Sequence, residues 1–100
     1  MSEIEKCKFE IERLCIEYKV NTLFVFGSYL TENYNSKSDI DLLVSFSKIN
    51  TEDYADNYFD FKFSLQEILQ RPIDLLDEKA LKNPYLIKSI NQQKQLIYSQ

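Results

Sequence analysis

Two aspartates, Asp39 and Asp41, stand at the start of an apolar run and are the clearest chemical feature of the sequence. From Asp39 onward apolar residues alternate with other residues, so we expect a strand that carries both carboxylates on one face, with Cα atoms roughly 6.5 Å apart. Such a pair can bind one divalent cation or bracket two, and its hard oxygen ligands suit Mg²⁺. Taken alone, the pair is more often a set of solvated carboxylates at the start of a strand.

Asp74 is the only other aspartate within a short apolar, strand-like run, at residues 73–76. A third carboxylate from a neighbouring strand would complete a two-metal site of the kind that supports in-line phosphoryl transfer. The chain contains no histidine, which excludes Ser-His and Cys-His nucleophilic sites and zinc sites built on histidine. We therefore predict catalytic and metal-binding roles for Asp39, Asp41 and Asp74.

The only glycine, Gly27, ends an apolar run and is followed by Ser28. A glycine in that position predicts a backbone with positive φ or a close approach by another group, although a plain tight turn is the simple alternative. If a helix follows, its free backbone N–H groups and the serine hydroxyl can bind a phosphate. Gly27 and Ser28 are therefore candidate nucleotide-binding residues.

The remaining patterns predict alternating helices and strands around these residues. Helices are expected at residues 3–19, at 29–33 with Ser28 as the N-cap, from Asn50 to the break at Arg71-Pro72, and after Asn83-Pro84; strands are expected at 23–26, 39–46, 73–76 and 96–98, with a loop at 33–38. This order predicts an α/β (α+β) fold, a single domain over residues 1–100 with a mixed central sheet of three to four strands flanked by helices.

Composition limits the classes of protein to consider. The formal charge of −4 and the pI near 4.8 give no sign of a basic face, so we expect no direct binding to nucleic acid. No run is long and apolar enough to span a membrane and the N-terminus does not resemble a signal peptide, which predicts a cytoplasmic protein with no membrane association. Cys7 and Cys15 fall in the apolar stripe of the first helix, and we predict that both are buried small hydrophobic residues.

Phe59 and Phe63 lie off the apolar stripe of the third predicted helix. A helix that is apolar on more than one side is either unusually buried or faces a partner. In a chain of 100 residues we favour the partner.

The spacing of these motifs resembles a known family. Gly27-Ser28, a spacer of ten residues and Asp39-Ile40-Asp41, followed by Ile73-Asp74-Leu75-Leu76 and a tail from Asn83-Pro84 to Tyr98, are similar to the minimal nucleotidyltransferase (MNT) proteins of the DNA polymerase beta superfamily. The resemblance implies Mg²⁺ on Asp39, Asp41 and Asp74, with the triphosphate of ATP at Gly27 and Ser28. It also implies an antitoxin that pairs with a HEPN-domain toxin and transfers AMP to a tyrosine of that toxin.

The chain departs from the family pattern at Thr31 and Glu32, where the family commonly has an arginine and a glycine, and Lys37 is the only nearby replacement cation. Three hypotheses follow. The protein is an adenylyltransferase that modifies its partner, or an antitoxin of weak or absent activity that neutralises its partner by binding alone, or an enzyme that modifies a small molecule. The third is disfavoured because the chain lacks a second domain for such a substrate.

Overall fold

A four-stranded mixed sheet positions the candidate residues. The computed structural model describes residues 2–35 and 37–100, and its strands are β1 (Val20–Phe26), β2 (Ile40–Phe46), β3 (Ile73–Asp77) and β4 (Gln95–Ser99). Their order across the sheet is β3-β2-β1-β4; β2 and β3 are parallel, and β1 is antiparallel to both of its neighbours. The predicted fold class is confirmed.

Helices cover both faces of this sheet. They are α1 (Ser2–Lys6), α2 (Lys8–Glu17), α3 (Thr51–Leu69) and α4 (Pro84–Gln93), with short 3₁₀ turns at Gly27–Leu30 and Glu78–Ala80. Buried residues of α1, α2 and α3 share one apolar cluster with the sheet, whereas Ile90 of α4 belongs to a second cluster with Phe26 and Leu43. The sheet therefore separates a three-helix layer from α4.

The alternation predicted for β2 is confirmed. Ile40, Leu42 and Val44 are buried in the cluster with α1, α2 and α3, whereas Leu43 is buried under α4. Because successive side chains of a strand point to opposite faces, Asp41 shares the α4 face with Leu43. The same alternation in β3 places Asp74 on the face of Leu76.

The first helix differs from the prediction. A single helix over residues 3–19 is wrong, because Cys7 has φ −102° and ψ 12° and interrupts it between α1 and α2. The backbone hydrogen bonds continue across the interruption, since Cys7 N donates to Glu3 O at 3.1 Å and Ile11 N donates to Cys7 O at 2.9 Å. The predicted end near Lys19 is confirmed, and Lys19 adopts the left-handed region with φ 61°.

The predicted elements in the second half of the chain are confirmed. α3 ends at Leu69, where Gln70 takes a left-handed conformation just before Pro72. Asn83 caps α4, as its Oδ1 accepts hydrogen bonds from the N–H groups of Tyr85 and Leu86. β4 is an edge strand. In the first half of the chain, the predicted loop at 33–38 has no helix or strand in its described part, and Ser36 lies outside the described residues.

Cys15 is fully buried, as predicted, and its burial, followed by the charge of Glu12, raises the pKa of its thiol to about 12. Cys7 is only partly buried, which differs from the prediction, and its Sγ donates to Ile68 O at 3.7 Å. Both are free thiols. Across residues 2–35 and 37–100, no helix is long and apolar enough to cross a membrane.

Phe61 and Phe63 of α3 offer a matched test of the core. Phe61 is 0% exposed and its ring meets the rings of Tyr18 and Phe46 at 5.9 Å and 6.0 Å between centroids, whereas Phe63 is 56% exposed. We expect Phe61→Ala to lower the free energy of unfolding by about 3–5 kcal/mol, because it removes buried contacts and leaves a cavity. Phe63→Ala should cost less than about 1 kcal/mol.

Urea unfolding followed by circular dichroism measures both values, and Phe61→Leu supplies a milder variant if Phe61→Ala does not fold. Equal losses for Phe61→Ala and Phe63→Ala would contradict the assignment of Phe61 to the core.

Candidate active site

Asp41 and Asp74 lie side by side at one end of the sheet. They are register partners in the parallel pair formed by β2 and β3, and both point to the face covered by α4. No local sequence pattern shows which strands pair. Residues 41 and 74 meet because β2 and β3 are neighbours in the sheet. The predicted proximity of these two carboxylates is confirmed.

Asp39 lies just outside the strand, since β2 begins at Ile40. Its side chain is exposed, and its negative charge acts on Asp41. Within residues 2–35 and 37–100, no three acidic or cysteine side chains converge as the ligands of one metal ion would. The structure therefore supplies the Asp41–Asp74 pair with Asp39 nearby, and the metal-binding set of three stays a prediction.

The electrostatics of Asp41 show that negative charge is concentrated here. Burial raises the pKa of the Asp41 carboxyl above its usual range, and the charges of Asp74 and Asp39 and a hydrogen-bonding contact with Asp74 raise it further. Desolvated carboxylates that repel one another are stabilised by a cation, and a donor set made only of oxygen atoms suits a hard divalent ion. The residues present therefore fit a Mg²⁺ site.

Gly27 lies directly against Asp41. Its φ is +73°, in the left-handed region that favours glycine, and a Cβ added to it would lie 3.3 Å from Asp41 Cγ and closer still to Asp41 Oδ2. The sequence predicted either a positive φ or a close approach, and both occur. Because no side chain fits between them, the candidate phosphate-binding backbone and the candidate metal ligand form one continuous site.

The helix predicted at residues 29–33 is wrong, and so is Ser28 as its N-cap. The structure has a 3₁₀ turn at Gly27–Leu30 that follows Phe26 directly. Tyr29 explains the difference, because its ring is buried and its hydroxyl accepts a hydrogen bond from Ile4 N at 3.3 Å. Thr31 then closes the turn, since its N–H and its Oγ1 donate to Ser28 O at 3.0 Å and 2.9 Å.

Sequence reasoning missed Arg71 as part of this region and treated it only as a helix terminator. Arg71 forms an ion pair with Glu3 at 3.3 Å, its guanidinium lies 5.5 Å from the ring centre of Tyr34, and it donates to Asn35 O at 3.3 Å. Tyr34 also donates to Glu3. These contacts fasten the segment that leads to Asp39 onto α1, and an arginine followed by proline carries no local signal of such a role.

Comparison with known proteins shows a family that this chain matches and relatives to which it is similar. Residues 10–100 match the family described as polymerase beta nucleotidyltransferase. A relative from Methanocaldococcus jannaschii, named "putative protein adenylyltransferase", is 42% identical over 82 residues, which cover 82% of this chain and 79% of the relative.

Two solved structures share the fold. One, a toxin–antitoxin complex with AMP-PNP, has a TM-score of 0.71 at 20% identity and covers 93% of this chain and 73% of the matched chain. The other contains a tri-AMPylated HEPN toxin of Shewanella oneidensis in complex with an MNT antitoxin, and matches with a TM-score of 0.66 at 18% identity over 96% of this chain and 72% of the matched chain.

The repulsion around Asp41 predicts a measurable effect of pH on stability. Since the folded-state pKa of Asp41 is raised, the folded protein binds this proton more tightly than the unfolded chain, and stability falls as pH rises through the range between the two pKa values. At neutral pH without divalent cations, Asp41→Asn should therefore melt at a higher temperature than the wild type.

The difference in melting temperature should shrink as pH falls below the ordinary range of an aspartate, where Asp41 is protonated in both states. Asp60→Asn, which alters an exposed acid of α3, is the control and should show no comparable rise. A lower melting temperature for Asp41→Asn at neutral pH would contradict the assigned repulsion.

Proposed function

Since the chain belongs to the polymerase beta nucleotidyltransferase family, we propose that it transfers AMP from ATP to a hydroxyl group of a partner protein. The observation that carries the proposal is the Asp41–Asp74 pair, with Gly27 packed against Asp41. The 42% identical relative named as a protein adenylyltransferase supports the same reaction.

The partner we propose is a HEPN-domain toxin that is modified on a tyrosine, which makes this chain its antitoxin. The complex of an AMPylated HEPN toxin with an MNT antitoxin supports this assignment.

The reaction forms one bond and breaks one. The hydroxyl oxygen of the acceptor attacks the α-phosphorus of ATP, and the bond from that phosphorus to the oxygen that bridges the α- and β-phosphates breaks, releasing pyrophosphate. The hydroxyl proton passes to a carboxylate, for which we propose Asp74. This aspartate is exposed on an edge strand, where an acceptor can reach it, whereas Asp41 is partly buried.

Asp39, Asp41 and Asp74 are the residues that would hold Mg²⁺. When bound, this ion neutralises charge on the phosphate oxygens and aligns them for displacement. The chain's own contribution is the strand register that sets Asp41 beside Asp74, with Asp39 two residues before Asp41. Gly27 and Ser28 would receive the triphosphate, because the 3₁₀ turn at Gly27–Leu30 brings its backbone next to Asp41.

A second candidate function is neutralisation by binding alone. It is favoured by Thr31, whose hydroxyl bonds to Ser28 O in the position where the family commonly has an arginine, and by the exposed carboxylate of Glu32. A negative charge and a missing cation beside a triphosphate weaken its binding. The two candidate functions share the partner and differ only in whether AMP is transferred.

Mass spectrometry separates the two functions. The tagged chain is purified from its own cells together with its bound partner and incubated with ATP and Mg²⁺. We expect the partner to gain the mass of one or more adenylyl groups on a hydroxyl side chain. The gain should be lost in Asp39→Asn and Asp41→Asn, which remove carboxylates without removing volume.

Glu10→Gln, which alters an exposed acid of α2, is the matched control and should retain transfer. If the wild type adds no AMP while Asp39→Asn and Asp41→Asn still neutralise the partner, the enzymatic proposal is wrong and the binding function stands.

A further inference from the structure

A cavity of about 390 Å³ opens between α3 and the outer edge of β3. Its lining is mostly apolar and includes Ala55, Tyr58, Phe59, Leu75, Leu76 and Ala80. Two tyrosines hold its walls together, because Tyr54 donates to the Asp77 carboxylate and Tyr58 donates to Leu75 O. The packing of α3 against β3 thus forms the groove.

An exposed aromatic ridge continues from this groove along α3. Phe59 lines the groove and is 48% exposed, and its ring stacks on that of Phe63 with centroids 6.0 Å apart. Neighbouring aromatic rings left in water beside an apolar groove are typical of a protein-binding surface. Phe9 and Ile16 are also exposed, but they lie on α2, away from the groove lining.

The groove lies beside the carboxylate that is proposed to take the acceptor's proton. Tyr58 bonds to the backbone of Leu75, the residue that follows Asp74. Leu76, which lies two residues after Asp74 on the same face of β3, lines the groove. A protein bound in this groove would therefore be held next to Asp74.

The charge on α3, the helix that carries the Phe59–Phe63 ridge, restricts what can bind there. α3 carries five acidic residues, all exposed, and a single basic residue, Lys62, which is partly buried; the acidic residues are Glu52, Asp53, Asp56, Asp60 and Glu67. Asp77 and Glu78 add negative charge on the β3 side, with Lys79 beside them. A second copy of this chain would bring like charges together, which is unfavourable, so a partner with a basic rim is the complementary occupant.

We propose that this groove and the Phe59–Phe63 ridge dock the acceptor protein, which places an apolar side chain in the groove and surrounds it with lysine or arginine side chains. The inference rests on the proposed transfer of AMP to a protein, and adds where the acceptor binds and what chemistry it presents. It also gives the acceptor a route to Asp74, along β3 at the edge of the sheet.

The double variant Phe59→Ser/Phe63→Ser tests the docking surface. The probe is the partner that copurifies with the wild-type chain, separated from it and then titrated back. We expect its Kd to rise about tenfold or more, because exposed aromatic anchors dominate interface energies, and its KM in AMP transfer to rise more than kcat falls. Phe9→Ser/Ile16→Ser is the matched control and should leave Kd unchanged.

Charge reversal tests the chemistry of the partner. Asp56→Lys/Asp60→Lys should weaken binding and slow association, and added salt should slow association of the wild type more than of this variant. Faster or unchanged association of the reversed variant would overturn the basic rim. Circular dichroism melting curves show whether each variant is folded.

The outcomes separate this inference from the proposed function. AMP transfer that proceeds with the same KM in Phe59→Ser/Phe63→Ser overturns the docking site and leaves the enzymatic function standing. If Phe59→Ser/Phe63→Ser raises the Kd for the partner but the wild type transfers no AMP, the docking site is supported and the enzymatic function is overturned. Self-association of the wild type that Phe59→Ser/Phe63→Ser abolishes would show that the surface binds a second copy, and would overturn the proposal.

Discussion

The contact between Asp41 and Gly27, with Asp74 in register beside Asp41, is the constraint on which the site depends. Ile40 and Ile73, also in register, bury their side chains on the opposite face, so the core fixes the pairing of the two aspartates. A shift of one residue in either strand would turn the aspartate of that strand into the core and its isoleucine out. The same burial that stabilises the sheet therefore holds two carboxylates together at a cost in electrostatic repulsion.

Tyr34 and Asn35, which follow the 3₁₀ turn, are fastened by contacts from outside the sheet. Arg71 contacts Glu3, Tyr34 and Asn35, and so links the end of α3, the first helix and the segment that leads to Asp39. Burial and the hydrogen bond to Glu3 raise the pKa of Tyr34 to about 12, so its hydroxyl remains a donor well above physiological pH. The N-terminal helix thus helps to hold Tyr34 and Asn35, which lie about thirty residues away along the chain.

Much of this arrangement could be predicted from local patterns. The alternation of apolar and other residues after Asp39 predicted that Asp41 and Ile40 lie on opposite faces of the sheet. An isolated glycine after an apolar run indicated the positive φ of Gly27. The helix at residues 29–33 failed because Tyr29 packs into the core and Thr31 closes a tighter turn, effects that depend on tertiary contacts. The contacts of Arg71 and the break at Cys7 likewise have no local pattern. The chemical roles of Asp39, Asp41, Asp74, Gly27 and Ser28 remain predictions.

The most direct test of the account is the melting temperature of the wild type with Mg²⁺ alone, ATP alone and both together at millimolar concentration. A competent site predicts the largest rise with both, since a ligand that binds only the folded state stabilises it, and the rise should be lost in Asp39→Asn and Asp41→Asn. No rise with ATP and Mg²⁺ together, or an equal rise in those variants, would contradict a nucleotide and metal site at these aspartates.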